Sequence, residues 1–275
     1  MSPSQGRPTM TEQAQQTTDA ALQPCLSAAD FDPLSVEAQI LSLVGAGITR
    51  IELAGDAPHG GAIHFADGMT LNMDEIERVI PCFTPGTKIA TPKGEMPVER
   101  LKAGDRVLTR DNGIQTLQWV GQKRLDHLQL KMMKELRPIR IRAGALGANT
   151  PEKDMIVSPT HRVLVVSELA QMYFDEAEVL VAAKDLLQLE GVEVAETPYV
   201  TYVHFMCEHH EIVLADGAWS ESFQPGDYSL KGLHDSQREE LFKLFPELAT
   251  REGVKTYRAA RKSIKRNESS LIFKI

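Results

Sequence analysis

The chain has 275 residues, enough for one large domain or one domain with a smaller appendage. Its hydrophobic share of 42% and charged share of 25% are those of a globular protein, and a formal net charge of −8 argues against broad nucleic-acid binding, which needs a basic surface. No apolar run reaches the length of a bilayer span, no basic-then-apolar secretory signal opens the chain, and three cysteines without a CxxC pair argue against a disulfide-stapled fold.

These features assign no compartment; a cytoplasmic location and export without a signal peptide both stay open. Residues 1–35 are expected to be disordered, because Gln, Thr, Ser, Ala and Pro dominate the first 24 and bury too little to offset ordering entropy. Cys25 at the edge of that stretch reads as an incidental thiol.

Residues 36–81 read as a small, mainly β lead-in module. Val36–Val44 has a short helical pattern, Thr49, Ile51 and Leu53 alternate with polar residues as in a half-buried strand, and Asp67-Gly68 is a hairpin signal between two apolar runs. Asp74 can cap a short helical turn. Asp56, Asp67 and Asp74 lack the spacing of a calcium loop and read as turn and cap residues.

Residues 82–225 carry short β-type runs with turn signals about every 8–12 residues, the pattern of a mainly β fold. The runs are 88–91, 95–98, 106–109, 115–120, 137–142, 155–157, 162–166, 178–182, 199–206 and 211–215. A weak internal echo links EMPVERLKAGD (95–105) to EVLVAAKDLLQLEG (178–191), as a duplicated half-domain would. Residues 226–275 are expected to form a helical C-terminal extension, with Leu241, Phe242, Phe245 and Leu248 at helical spacing and a basic final stretch.

Cys82 is the residue on which the chemistry turns. It follows Pro81 directly and opens the dense run of turns and strands, so its sulfur can reach the carbonyl of the residue before it. An amide is a poor electrophile, and a thiol attacking one needs deprotonation, stabilisation of the oxyanion and a proton for the leaving amine. His161 in VSPTHRVLV is the obvious proton donor, with the Ser158 hydroxyl three residues before it. A histidine at a strand entrance, satisfied by backbone, is the bland alternative.

A second cluster holds His204, Cys207, His209 and His210. Zinc is one reading, but strand alternation would set His209 on the opposite face and no partner pair appears elsewhere. A hairpin turning at 207–209 would bring His204 and His210 together as acid/base groups.

The stretches CFTPGTKIATPKGEMPVERLKAGDRVLT (82–109), QTLQWVG (115–121), 157–165, 178–186 and 204–223 resemble a Hint domain, the fold shared by inteins and the hedgehog autoprocessing domain, in its bacterial form. The resemblance covers roughly residues 80–225 and implies a pseudo-twofold all-β domain. It implies Cys82 as nucleophile, Ser158 and His161 at the Thr and His of the family's TxxH motif, and assisting roles for His204 and His210.

Splicing inteins end on His-Asn before Cys, Ser or Thr, whereas this chain has GAWSESF at 217–223, with Ser220 and Ser222 read as spectators. The expectation is therefore single-turnover autoproteolysis: an N–S acyl shift at Pro81–Cys82, with water or an external nucleophile resolving the thioester. Such chemistry needs no cofactor and no metal, and its partners are the chain's own N-terminal segment as acyl donor and that nucleophile. The rival reading is a non-cleaving interaction module that keeps the fold, favoured by the restraint of the Pro81 ring on its carbonyl.

Overall fold

The computed structural model describes residues 48–53, 61–66, 70–72, 80–226, 230 and 233–273. The expected disorder of 1–35, the Val36–Val44 helix, Cys25, the Asp67-Gly68 turn and the Asp74 cap lie outside the described residues. The chain divides into two compact units, residues 1–76 and 77–275.

In the first unit, β1 (Ile48–Leu53), β2 (Gly61–Phe65) and β3 (Thr70–Asn72) form an antiparallel sheet in sequence order. These strands fall where alternation of apolar and polar residues marks them.

The second unit is mainly β. Its strands begin with β4 (Lys88–Thr91), β5 (Gly94–Pro97), β6 (Arg106–Leu108), β7 (Ile114–Thr116) and β8 (Trp119–Leu125). Helix α1 (His127–Met132) follows, with Asp126 as its N-cap accepting from the Gln129 amide. Then come β9 (Ile139–Ile141), β10 (Met155–Val157), β11 (Arg162–Val166), α2 (Glu168–Phe174), β12 (Glu178–Ala182), β13 (Val192–Val194), β14 (Val200–Met206), β15 (Ile212–Ala215) and β16 (Ala218–Glu221). The final stretch holds α3 (Asp235–Leu244), α4 (Arg251–Thr256), β17 (Lys262–Ile264) and α5 (Arg266–Ile272). No helix among the described residues is long and apolar enough to cross a membrane.

The largest sheet has the order β17-β12-β11-β16-β15-β4-β5. Leaving β17 aside, two hairpins, β4–β5 and β11–β12, flank the central β15–β16 hairpin, as expected of a pseudo-twofold Hint fold. The two segments of the sequence echo occupy matching places. Strand β5 runs into a 3-10 turn at Val98–Arg100, and β12 into one at Ala183–Leu186. The last fifty residues are not helical throughout, because β17 joins this sheet parallel to β12.

Two smaller sheets meet at one residue. Strands β10, β9 and β13 form one, β14 and β8 the other, and Phe83 bridges Val157 of β10 and Val203 of β14. Phe83 exchanges both backbone hydrogen bonds with Val203, each 2.8 Å. Its ring joins a core with Ile89, Val157, Val203, Phe205 and Val213. Burying an aromatic ring is worth roughly 1.5–3 kcal/mol, so this single bridge pins the segment after Cys82 firmly.

Candidate functional site

Strand register builds the site. Phe83, Val157 and Val203 lie opposite one another and point into the core, so the residues one step away point to the other face. Those residues are Cys82 in the middle, Ser158 on one side and His204 on the other. All three are almost fully buried.

Ser158 holds the backbone on both sides of Pro81. The Cys82 N–H donates to Ser158 Oγ at 2.9 Å, and the Ser158 hydroxyl donates to the Ile80 carbonyl at 2.8 Å. The Ser158 N–H donates to the Cys82 carbonyl at 2.9 Å, which completes the clamp. On the other side, His204 Nδ1 lies 3.4 Å from Cys82 Sγ. The ring of His204 also packs against Trp119 and Phe223, with centroids 5.0 and 5.8 Å away. Gly121 faces His204 in the β8–β14 ladder and leaves room for this ring.

Burial sets the charge states. It pushes the Cys82 thiol well above its ordinary value, against the opposing pull of Lys123, while Glu221 adds to the rise. It drives His204 down to about 3, helped by Lys123. Near neutral pH the pair is therefore a thiol facing a neutral imidazole.

His161 is brought to the same region but on the Phe83 side. Its ring centroid is 4.3 Å from that of Phe83, and neither ring nitrogen has a hydrogen-bond partner. Burial lowers it to about 4, with Glu221 acting in the opposite sense. The group touching the amide nitrogen of Cys82 is thus Ser158, with His161 tied to it through the turn bond from the His161 N–H to the Ser158 carbonyl, 3.0 Å.

The structure separates the two late histidines. Strand β14 pairs with β8, and β15 pairs with β16 and β4, so 207–209 does not close a β14–β15 hairpin. His210 lies against Glu221 instead. Its Nε2 is 3.3 Å from Glu221 Oε2, a close electrostatic contact without good hydrogen-bond alignment. Its Nδ1 accepts the Ala260 N–H at 3.0 Å. Cys207 is buried, and its thiol is raised to about 12, mainly by burial, which makes it inert. Among the described residues no group of three or more His, Cys, Asp or Glu is arranged to hold a metal ion.

Sequence reading passed over Glu221. It lies in GAWSESF, a stretch without His-Asn, and the structure makes Ala218–Glu221 a central strand with Ser220 paired to both Val163 and Val213. Glu221 is 1% exposed and accepts from the Arg162 N–H and from Arg162 Nη1, each at 2.9 Å. The signal that could have found it is a charged residue at an inward position of a β run, which demands partners. Ser222 Oγ accepts the Glu211 N–H, and Ser220 Oγ is buried without a partner.

A cavity of about 320 Å³ is lined by Thr84 and Ile156, each two residues in sequence from Cys82 or Ser158, together with Pro138, Ala195, Tyr199 and Val200.

Comparison with known proteins places these features in context. A family model described as Hint domain matches residues 81–227, more than half of the chain. Similar solved structures include a bacterial intein-like domain from Clostridium thermocellum, at 17% identity over 53% of this chain and 99% of that one, TM-score 0.35. The MchDnaB-1 intein is 12% identical over 51% of this chain and 98% of its own, TM-score 0.32. The gp41-1 intein is 11% identical over 51% of this chain and 97% of its own, TM-score 0.31. No curated protein sequence matches the chain.

Proposed function

The chain belongs to the Hint domain family, and from that premise we propose that it autoprocesses at its own Pro81–Cys82 bond through a thioester, without splicing. The observation that carries this reading is the placement of Cys82 between Ser158, bonded to the scissile amide, and His204, 3.4 Å from the sulfur.

In the proposed reaction His204 Nδ1 takes the thiol proton as Sγ attacks the Pro81 carbonyl carbon. The C–N bond to Cys82 then breaks, and the nitrogen becomes an amine by taking up one proton. Ser158 is the group in contact with that nitrogen. Its hydroxyl proton points at the Ile80 carbonyl in the resting state, so donation to the amine requires the hydroxyl to turn. His161, with two unused ring nitrogens beside Phe83, is the neighbouring imidazole that supports this transfer. His204 then releases the thiol proton to water and Ser158 regains one from water, so the net change moves one hydrogen from sulfur to nitrogen, and the acyl group from nitrogen to sulfur.

Water or an external nucleophile then attacks the thioester carbonyl and releases the Cys82 thiol. Thr84 and Ile156, each two residues in sequence from Cys82 or Ser158, line a cavity that is the route we assign to its approach. The second bond required for splicing has no matching chemistry, since the region where His-Asn would stand is β16 and its flanks.

Incubating the full chain with hydroxylamine or dithiothreitol and weighing the products tests this directly. Fragments corresponding to residues 1–81 and 82–275 are expected, and Cys82→Ala should yield neither. A wild-type chain that stays intact under every condition would leave the non-cleaving interaction module as the correct reading.

A further inference from the structure

We propose that Glu221 is the positioning residue of this site and that the segment around Ala260, far along the chain, holds it there through His210. The inference rests on the proposed reaction, and it concerns residues that touch neither the thiol nor the scissile carbonyl.

A buried carboxylate is tolerated only when its lone pairs are engaged and its charge is balanced. Glu221 meets this demand in a specific direction. Its Oε1 accepts the backbone N–H of Arg162, and its Oε2 accepts the guanidinium of the same residue. Arg162 follows His161 in sequence, so the first of these bonds fixes the backbone at the end of the Ser158–His161 turn. Further restraints on that turn include the His161 N–H on the Ser158 carbonyl, 3.0 Å, the Lys184 N–H on the Pro159 carbonyl, 3.0 Å, and the Ala183 N–H on the His161 carbonyl, 2.8 Å. A continuous set of short contacts therefore runs from Glu221 through Arg162, His161 and Ser158 to the scissile amide.

The C-terminal segment completes the arrangement. The Ala260 N–H donates to His210 Nδ1, which fixes the ring with Nε2 on the Glu221 side, 3.3 Å from Oε2. The Tyr257 hydroxyl donates to the Cys207 carbonyl at 3.0 Å, holding the same segment against the stretch that leads to His210. Arg261 ties the neighbouring backbone to Asp111 and Glu178.

The charged and titratable groups acting on His161 are Glu221, Arg162 and His210. Glu221 is the anion among them, and it opposes the effect of burial on the imidazole. Arg162, His210 and His161 hold Glu221 itself below the usual carboxylate range, although burial alone would raise it. Glu221 thus fixes where His161 stands and how readily it carries a proton.

The test uses the full chain with nitrogen-15 histidine, as wild type, Glu221→Gln, Ala260→Pro and Ala260→Gly. Glu221→Gln keeps the shape and removes the charge; Ala260→Pro removes the one N–H that reaches His210, and Ala260→Gly keeps it. Glu221→Gln is expected to lower the pH at which His161 titrates by about half a unit or more. Ala260→Pro is expected to change the nitrogen pattern that reports the His210 tautomer, with Ala260→Gly indistinguishable from wild type. Thiol-induced cleavage should slow about tenfold or more in Glu221→Gln and Ala260→Pro, and not in Ala260→Gly. An unmoved His161 titration together with an unchanged His210 tautomer overturns the inference. So does wild-type cleavage that Glu221→Gln leaves at full rate. If the wild type does not cleave at all, the proposed reaction fails, and the two nuclear-resonance readings still decide the placement of Glu221.

Discussion

Gly121 stands opposite His204 in the β8–β14 ladder, and a Cβ at that glycine would lie 2.4 Å from His204 Nε2. Trp119 closes the same space, 2.6 Å from the added atom. Gly121→Ala is therefore expected to push the imidazole off the Cys82 sulfur and to destabilise the fold by about 1–3 kcal/mol, as overpacking does. Cleavage should drop about a hundredfold while thermal unfolding remains cooperative. A variant that cleaves at the wild-type rate would show that His204 does not serve the thiol.

Ser158→Ala removes the acceptor of the Cys82 N–H and leaves that buried donor unpaired, at roughly 1–3 kcal/mol. Ser158→Thr keeps the hydroxyl. Equilibrium denaturation and cleavage kinetics of the two variants should separate cleanly, with loss in the first and retention of at least part of the activity in the second. Equal activity in both would remove Ser158 from the mechanism.

Acid should destabilise this protein through its buried histidines. His161 and His204 are held at about 4 and about 3 in the folded chain, mainly by burial, against an ordinary value of 6.5. The unfolded chain binds more protons than the folded one between those values, so stability rises with pH across that window. The stabilisation is fully present above about pH 6.5 and is lost as pH falls toward 3–4. Glu221, whose folded value is lowered from 4.5 with Arg162 beside it, acts in the same sense as pH falls below that value. Denaturant midpoints measured from pH 7 to pH 4 should fall, and His161→Gln should flatten the slope; a midpoint independent of pH contradicts these charge states.

Arg162→Ala strands the Glu221 carboxylate in a water-poor strand and should cost about 3–5 kcal/mol. Pairing it with Glu221→Gln should recover much of that loss, because the uncompensated charge is gone. A double-mutant cycle showing simple additivity would mean the two side chains do not interact as described.

Much of the sheet was legible because alternation and turn chemistry are local. Strands β4, β10, β11 and β12 fall on the short apolar runs of the sequence, β4 ending on Pro92 and β10 on Ser158-Pro159. Strand β16 was not legible, since the runs read from the sequence end at 211–215 and the polar Ser220 and Glu221 gain a strand role only beside Arg162, Val163 and His210. Strand β17 was hidden for another reason: Lys262, Ser263 and Ile264 form too short a run to signal a strand, and only β12 makes it one. In the site, Cys82 and Ser158 followed from position and spacing, and a late histidine cluster marked His204. That His210 belongs to Glu221 rather than to Cys82 depends on which strands pair, and no local pattern carries that information.

The parallel pairing of β17 with β12 has a consequence for how the molecule behaves among its own copies. Strand β5, at the far end of the large sheet, is guarded by exposed Gly94 and Glu95 and by Pro97, residues that discourage further pairing. Strand β12 carries a charge only at its first residue, Glu178; Val179, Leu180 and Val181 are fully buried and its other backbone edge is covered by Lys262–Ile264. A chain cut before β17 would present that apolar edge to solvent, ready to template strand addition from a neighbour. The last residues thus act as a solubility guard, and concentration-dependent association of a chain ending at residue 258, measured by light scattering, would register its loss.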